Sequence, residues 1–249
     1  MITEATHQGR RPYQEDRYFS FSNPHGTWMG VFDGHGGDGC AKMALSLITP
    51  LINSTYTPSS PIKEVFTEIF SKLNSATIGL HSGCTASLAF IPSSQDVVHV
   101  AVLGDSPIII RKNDGNIWIA PEHNVSTNES EVIAAVGRGG YIATGGAYLV
   151  DSYNRLGVGL QMTRALGDVE LSRVLNREPE IFSIPIGESS FVLVCTDGAF
   201  DPSHYKTVKE SSAAIIIKLI ETGADASSIV NRAIKIPTRD NVTAVLWRP

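Results

Sequence analysis

The chain has 249 residues, 42% of them hydrophobic, with 20 Lys+Arg against 25 Asp+Glu and a formal net charge of −5. A hydrophobic share of that size suits a packed core, and the charged share of 18% lies below the roughly 25% of ordinary globular chains, which excludes a disordered chain. The mildly acidic balance also argues against a nucleic-acid binder working by bulk charge.

In chain order, 17–21 reads as a weak strand and 27–32 as a strong one, short, apolar and aromatic. A Gly-rich turn follows. Apolar residues at helical spacing then predict helices over 40–52 and 62–73, the second through Val65, Phe66, Ile69, Phe70 and Leu73. Residues 53–61 read as the loop between them. Strands are predicted over 86–91 and 97–103. The Gly-rich segment 121–167, with one helix expected over 129–136, reads as an excursion from the core placed to cover a site. A strand over 191–196, helices over 211–221 and 226–234, and a strand over 242–247 follow. With no repeat and no linker long enough to separate domains, one domain over 1–249 is expected.

Cys40, Cys84 and Cys195 are widely spaced, and no C-x-x-C pair occurs. Neither a zinc ribbon nor a disulfide framework is supported; buried, reduced thiols are expected. The first residues lack the apolar core of a signal peptide, and no apolar run approaches about 18 residues. The expectation is a soluble intracellular protein, cytoplasmic or nuclear, without membrane association.

One pattern recurs along the strands. Asp33, Asp105 and Asp197 follow strands 27–32, 97–103 and 191–196, whereas Glu15-Asp16 and Asp240 precede strands 17–21 and 242–247. In antiparallel neighbours the end of one strand lies beside the start of the next, so an antiparallel arrangement gathers all five acidic positions on one edge. Gathered carboxylates repel, and Arg10, Arg11 and Arg239 are the nearest basic residues in sequence. A divalent cation is the natural partner, and oxygen-only donors favour Mg²⁺ or Mn²⁺ over Zn²⁺.

The loop Gly34-His35-Gly36-Gly37-Asp38-Gly39 also fits G-x-G-x-x-G, the signature of a dinucleotide-binding oxidoreductase. Against that alternative, no acid falls within 51–61, about where a ribose-binding carboxylate belongs, and Asp33 places negative charge at the pyrophosphate site. A second alternative is a binding domain that keeps an enzyme's fold without its chemistry. Lost carboxylates would signal it, and none of the five positions is lost.

The motifs in order are Arg11-x-x-x-Glu15-Asp16, Asp33-Gly34-His35-Gly36-Gly37, Gly83-Cys84-Thr85-Ala86 and Gly104-Asp105-Ser106. Thr163-Arg164-Ala165-Leu166-Gly167-Asp168, Glu178-Pro179, Thr196-Asp197-Gly198 and Asp240-Asn241 follow. On this set the chain resembles the metal-dependent type 2C protein serine/threonine phosphatases. The resemblance implies an α+β fold, a four-layer α-β-β-α sandwich of two antiparallel sheets flanked by helices, with 121–167 in the place of a variable flap. It implies hydrolysis of phosphoserine and phosphothreonine by a hydroxide bridging two Mn²⁺ or Mg²⁺ ions. Asp33 would bridge both ions, with Asp197 and Asp240 on one, and Glu15 and the Gly34 carbonyl on the other. Asp105 and Asp201 match positions tied to a weaker third ion, and Pro107 stands beside them where an arginine is common. Arg11 matches the arginine that holds the substrate phosphate, and its planar fork suits that anion.

His35, two residues beyond a proposed ligand and of a type that titrates near neutral pH, is the candidate general acid. His7, His25, His81, His99, His123 and His204 lack partners at motif spacing and are read as structural or surface residues. Phosphorylated proteins are the expected partners, and a monomer is expected.

Overall fold

The structure is a computed structural model that describes residues 1–143, 145–153, 157–200, 209–236 and 238–249. Its strands are β1 (Ile2–His7), β2 (Arg17–Asn23), β3 (Gly26–Phe32), β4 (Gly34–His35), β5 (Gly83–Cys84), β6 (Ala86–Pro92), β7 (Val97–Leu103) and β8 (Ile108–Arg111). These are followed by β9 (Ile117–Ile119), β10 (Gly140–Ile142), β11 (Leu149–Asp151), β12 (Gly159–Leu160), β13 (Leu166–Gly167), β14 (Glu180–Pro185), β15 (Phe191–Cys195) and β16 (Val242–Trp247). The helices are α1 (Gly39–Thr55), α2 (Ile62–Thr77), α3 (Glu129–Gly137), α4 (Asp197–Phe200), α5 (Lys209–Glu221) and α6 (Ala226–Lys235).

Two five-stranded sheets form the body, in the orders β14-β7-β6-β3-β2 and β1-β16-β15-β8-β9. Every pairing within them is antiparallel. Side chains alternate between the faces of a strand, so each central strand divides its apolar residues between two cores. In β15, Val192 and Val194 enter the core between the sheets, while Phe191, Leu193 and Cys195 face α5 and α6. In β3, Met29 and Val31 enter the same inter-sheet core, while Trp28 and Phe32 face α1 and α2. The layers are therefore helix, sheet, sheet, helix, as the family resemblance implies. Each fully buried Val, Leu or Ile stabilises this stack by about 1.5–3 kcal/mol.

The strand alternation also prepares the site. The parity that sends Val194 and Val245 into the inter-sheet core sends Thr196 and Thr243 inward at the end of the sandwich, and both are wholly buried.

The sequence reading needs three corrections. The strand predicted over 191–196 stops at Cys195, because Asp197 opens the short helix α4. Strands β1, β8, β9 and β14 are absent from that reading. β1 and β14 are half-exposed edge strands without an apolar run, and β8 and β9 are only 4 and 3 residues long. The segment 121–167 holds more than one helix: besides α3 it carries the small antiparallel sheet β10-β11-β12.

Candidate metal centre

The acids predicted to share one edge come instead from matching ends of two facing sheets. Glu15 and Asp16 lead into β2, and Asp33 and Asp105 follow β3 and β7 of the first sheet. Asp197 follows β15, and Asp240 precedes β16 of the second. A further small sheet, β13-β5-β4, closes that end and carries Gly34 and His35.

Backbone contacts fix each acid. Asp33 N–H donates to Thr85 Oγ1 at 3.0 Å, and Thr85 N–H donates back to the Asp33 carbonyl at 2.9 Å. Glu15 accepts from Gly37 N–H at 2.7 Å, while its own N–H donates to Asn241 Oδ1 at 2.8 Å. Asn241 also donates to the carbonyls of Gln8 and Tyr13, pinning the β1–β2 connection to the start of β16. Asp197 and Asp240 are brought together by a close backbone approach. A Cβ on Gly198 would lie 2.0 Å from the Asn241 carbonyl oxygen, so only glycine fits there. Asp105 accepts from Asn124 Nδ2 at 2.7 Å.

The electrostatic result centres on Asp33. Enclosure by protein, and then the charges of Asp16, Asp197, Asp240 and Asp105, push its carboxyl well above the usual carboxylate range. Asp16, 4% exposed, accepts from Thr196 Oγ1 at 2.9 Å and Thr243 Oγ1 at 2.8 Å. Burial nonetheless pushes its carboxyl up to about 7. Such a group of acids is costly as protein alone and suits a hard divalent cation, which oxygen donors prefer. The residues fit the ions that the resemblance implies.

Four of these acids line a cleft of about 520 Å³. Besides Asp33, Asp105, Asp197 and Asp240, its lining includes Arg11, Arg239, Gly34 and His35, together with Tyr148, Leu160 and Met162 of the 121–167 segment. Arg11 donates from Nη2 to Asp240 Oδ2 and from Nε to the Arg239 carbonyl, both at 2.8 Å. Burial opposes its charge, yet Asp240, Glu15 and Asp33 together hold its pKa above the ordinary value. The arginine expected on phosphate thus contacts an acid expected on an ion. His35 Nε2 lies 3.0 and 2.9 Å from the two carboxylate oxygens of Asp168. Asp201 and His204 lie outside the described residues.

Sequence reasoning counted Glu15-Asp16 among the gathered acids but gave Asp16 no role of its own, and it passed over Asn241 and Asn124. Asp16 and Asn241 stand inside quoted motifs, but their partners come from remote strands. His123, read as structural, is wholly buried and closes two bonds to Gly104: its N–H donates to that carbonyl, and its Nδ1 accepts that N–H, both at 3.0 Å. Burial, and then the charge of Arg164, push its pKa down to about 4. Glu131 and Glu180 converge on it, but this is no cation site. Nδ1 is already accepting, so neutral His123 carries its proton on Nε2, and Arg164 reaches both glutamates. The cluster holds the Gly104–Asp105 turn in place.

Comparison with known proteins agrees with this architecture. Among curated proteins, protein phosphatase fem-2 of Caenorhabditis elegans is 28% identical over 261 residues, covering 96% of this chain and 56% of its own length. Probable protein phosphatase 2C 11 of Arabidopsis thaliana is 27% identical over 252 residues, covering 97% of this chain and 64% of its own length. The chain thus spans between about half and two-thirds of these two relatives. Among solved structures, serine-threonine phosphatase 2C from Toxoplasma gondii superposes with a TM-score of 0.80 at 18% identity, over 98% of this chain and 93% of that one. The catalytic domain of the serine threonine protein phosphatase PstP, solved in complex with 2 manganese ions, gives 0.63 at 18% identity, over 99% and 96%. These two likenesses concern the fold. The family model for protein phosphatase 2C matches residues 6–242, and the chain belongs to that family.

Proposed function

We propose that this chain is a divalent-metal-dependent protein phosphatase that hydrolyses phosphoserine and phosphothreonine in phosphoproteins. The observation that carries this reading is Asp33, set among the charges of Asp16, Asp105, Asp197 and Asp240 in a cleft that Arg11 also lines. Family membership supports it, as does the manganese found with the PstP catalytic domain. In this reading Asp33 serves two ions, Asp197 and Asp240 one of them, and Glu15 with the Gly34 carbonyl the other. Asp105 belongs to a weaker third position. Residues 1–249 act as one catalytic domain with 121–167 as its flap.

When bound, Mn²⁺ or Mg²⁺ supplies Lewis acidity toward the phosphate and acidifies water at neutral pH. The chain's own residues do the rest. Arg11 binds the phosphate with its fork, giving up its present contact with Asp240. Asp16, fixed by Thr196 and Thr243, steadies Asp33. Tyr148, Leu160 and Met162 flank the substrate and narrow the access of water. His35 gives a proton to the departing serine or threonine oxygen, which is a poor leaving group without one.

The test is hydrolysis of a phosphothreonine peptide by chelator-treated protein, with and without added Mn²⁺. The expected result is loss of activity on chelation and recovery with the metal. Full activity in stripped protein would overturn the metal reading, and no hydrolysis in either condition would leave a phosphatase-like binding domain.

A further inference from the structure

Asp168 lies remote in sequence from His35, yet three independent features serve the contact between them. Both Asp168 carboxylate oxygens reach His35 Nε2, at 3.0 and 2.9 Å, with Asp168 only 6% exposed. Asp168 also adopts the left-handed backbone region, φ 52° and ψ 60°, one of only two non-glycine residues with positive φ among the described residues. Backbone strain of this kind persists where surrounding structure holds it, and it concentrates at functional sites. Finally, β5 passes directly beneath the pair. A Cβ on Gly83 would lie 2.0 Å from Asp168 Oδ2 and 2.4 Å from His35 Nε2, so a side chain there would separate them. Gly83 is also the register partner of His35 in the β4–β5 pairing.

We infer that Asp168 is the positioning residue for His35, holding Nε2–H so that Nδ1 alone faces the cleft as the proton donor. The inference rests on the proposed role of His35. In the reaction, the P–O bond to the substrate oxygen breaks, that oxygen keeps the electron pair, and it takes the proton from His35 Nδ1. The water that attacks phosphorus gives up a proton, which restores His35. Throughout, Nε2–H stays on the ring and bonded to Asp168. The carboxylate touches neither phosphate nor leaving group; it fixes the ring's rotation and decides which nitrogen carries the reactive proton.

This assignment separates Asp168 from a merely structural acid by leaving-group dependence. The variants are Asp168→Gly, which accepts the left-handed backbone without strain, Asp168→Asn, which keeps the shape, and His35→Ala. Each is assayed with Mn²⁺ on a phosphothreonine peptide and on p-nitrophenyl phosphate, whose phenolate departs without protonation. Metal affinity is measured by calorimetry in parallel. His35→Ala and Asp168→Gly should each lower kcat on the peptide by about 10²-fold, the lower end of what a positioned acid contributes. Each should change p-nitrophenyl phosphate turnover by less than about threefold and leave Mn²⁺ affinity unchanged. Combining the two should add no further loss, since Asp168 acts only through His35. Gly83→Ala should reproduce the same substrate split with both side chains intact. If His35→Ala shows the split but Asp168→Gly loses both substrates equally, or if the losses multiply in the double variant, the positioning role is overturned. If His35→Ala itself shows no split, the proton-donor reading beneath it fails first.

Discussion

Asp16 sits against two threonine hydroxyls with Asp33 and Asp240 close by, so as protein alone it keeps its proton to about pH 7. An unfolded aspartate ionises near about 3.9. Asp16 is therefore protonated in both states at pH 3 and ionised in both above about 8. Between those limits the unfolded chain releases the proton first, so the contribution to stability falls as pH rises from about 4 to about 7. Asp33, shifted in the same direction, adds to the trend. Chelator-treated protein should melt at a higher temperature at pH 5.5 than at pH 7.5, and Asp16→Asn should shrink that difference. The same variant removes a charge beside Asp33, and Mn²⁺ should bind about 10- to 100-fold more weakly, as when a residue behind a ligand is lost. An unchanged Kd would remove Asp16 from the centre. The proposed ligands should rank in the same assay: Asp33→Asn should abolish both binding and turnover, whereas Asp105→Asn should leave the tighter ions bound and only slow the reaction. Identical behaviour of the two would erase the distinction between core and third positions.

At the scale of elements, α3 is tied to the far end of the 121–167 segment through Glu131. Glu131 of α3 accepts from Thr163 Oγ1 at 3.0 Å and from Arg164 Nε at 3.0 Å, while Arg164 Nη1 reaches the Glu178 carbonyl at 2.8 Å. Both partners of this ion pair are largely enclosed. Breaking one side of such a pair costs up to about 3–5 kcal/mol, and here it leaves Arg164 with only the longer contact to Glu180. Glu131→Gln should therefore speed amide hydrogen exchange across 129–142 by orders of magnitude while β3 and β15 stay protected. Equal loosening everywhere would show that the pair supports the sandwich rather than α3. The sequence made the elements of the body readable because β3, β7, β15 and β16 are continuous apolar runs and α2 carries its core residues at helical spacing. It hid β4, β5 and β13, which are two residues each and hold together through register with one another rather than by pattern. The acids were readable for the same reason as the strands, since each one stops or starts an apolar run. Asp168 was not, because its meaning lies in a contact with His35 across 133 positions, which no local window contains.

For the molecule as a whole, the proposed ligands divide between two sheets, Glu15 and Asp33 from one and Asp197 and Asp240 from the other. An ion bound to both sets ties the two sheets together at that end, and ligand binding to the folded state alone stabilises it by about 2.7 kcal/mol at a hundred times Kd. Mn²⁺ should raise the melting temperature with increasing concentration and slow exchange at the cleft ends of both sheets together. Asp33→Asn or Asp197→Asn should each cancel the effect in both sheets. Protection confined to one sheet would mean the ions do not bridge the layers.

The pairing of β1 with β16 matches Ile2 to Trp247, nearly the full length of the chain apart. During synthesis the first sheet has all its strands once residue 185 has emerged, and α1 and α2 are by then available to cover it. The second sheet cannot close at that stage. β1 waits beside a gap that only β16 fills, because β16 lies between β1 and β15. Asp240, two residues ahead of β16, arrives in the same stretch, so the proposed ligand set is incomplete until β16 is made. Contacts this distant in sequence are slow to form, because the loop they close must be ordered before it is rewarded. Before β16 is made, the nascent chain therefore carries a half-sandwich with an apolar inner face, and the stretch from Asp240 to Trp247 both covers that face and adds the last of the gathered acids.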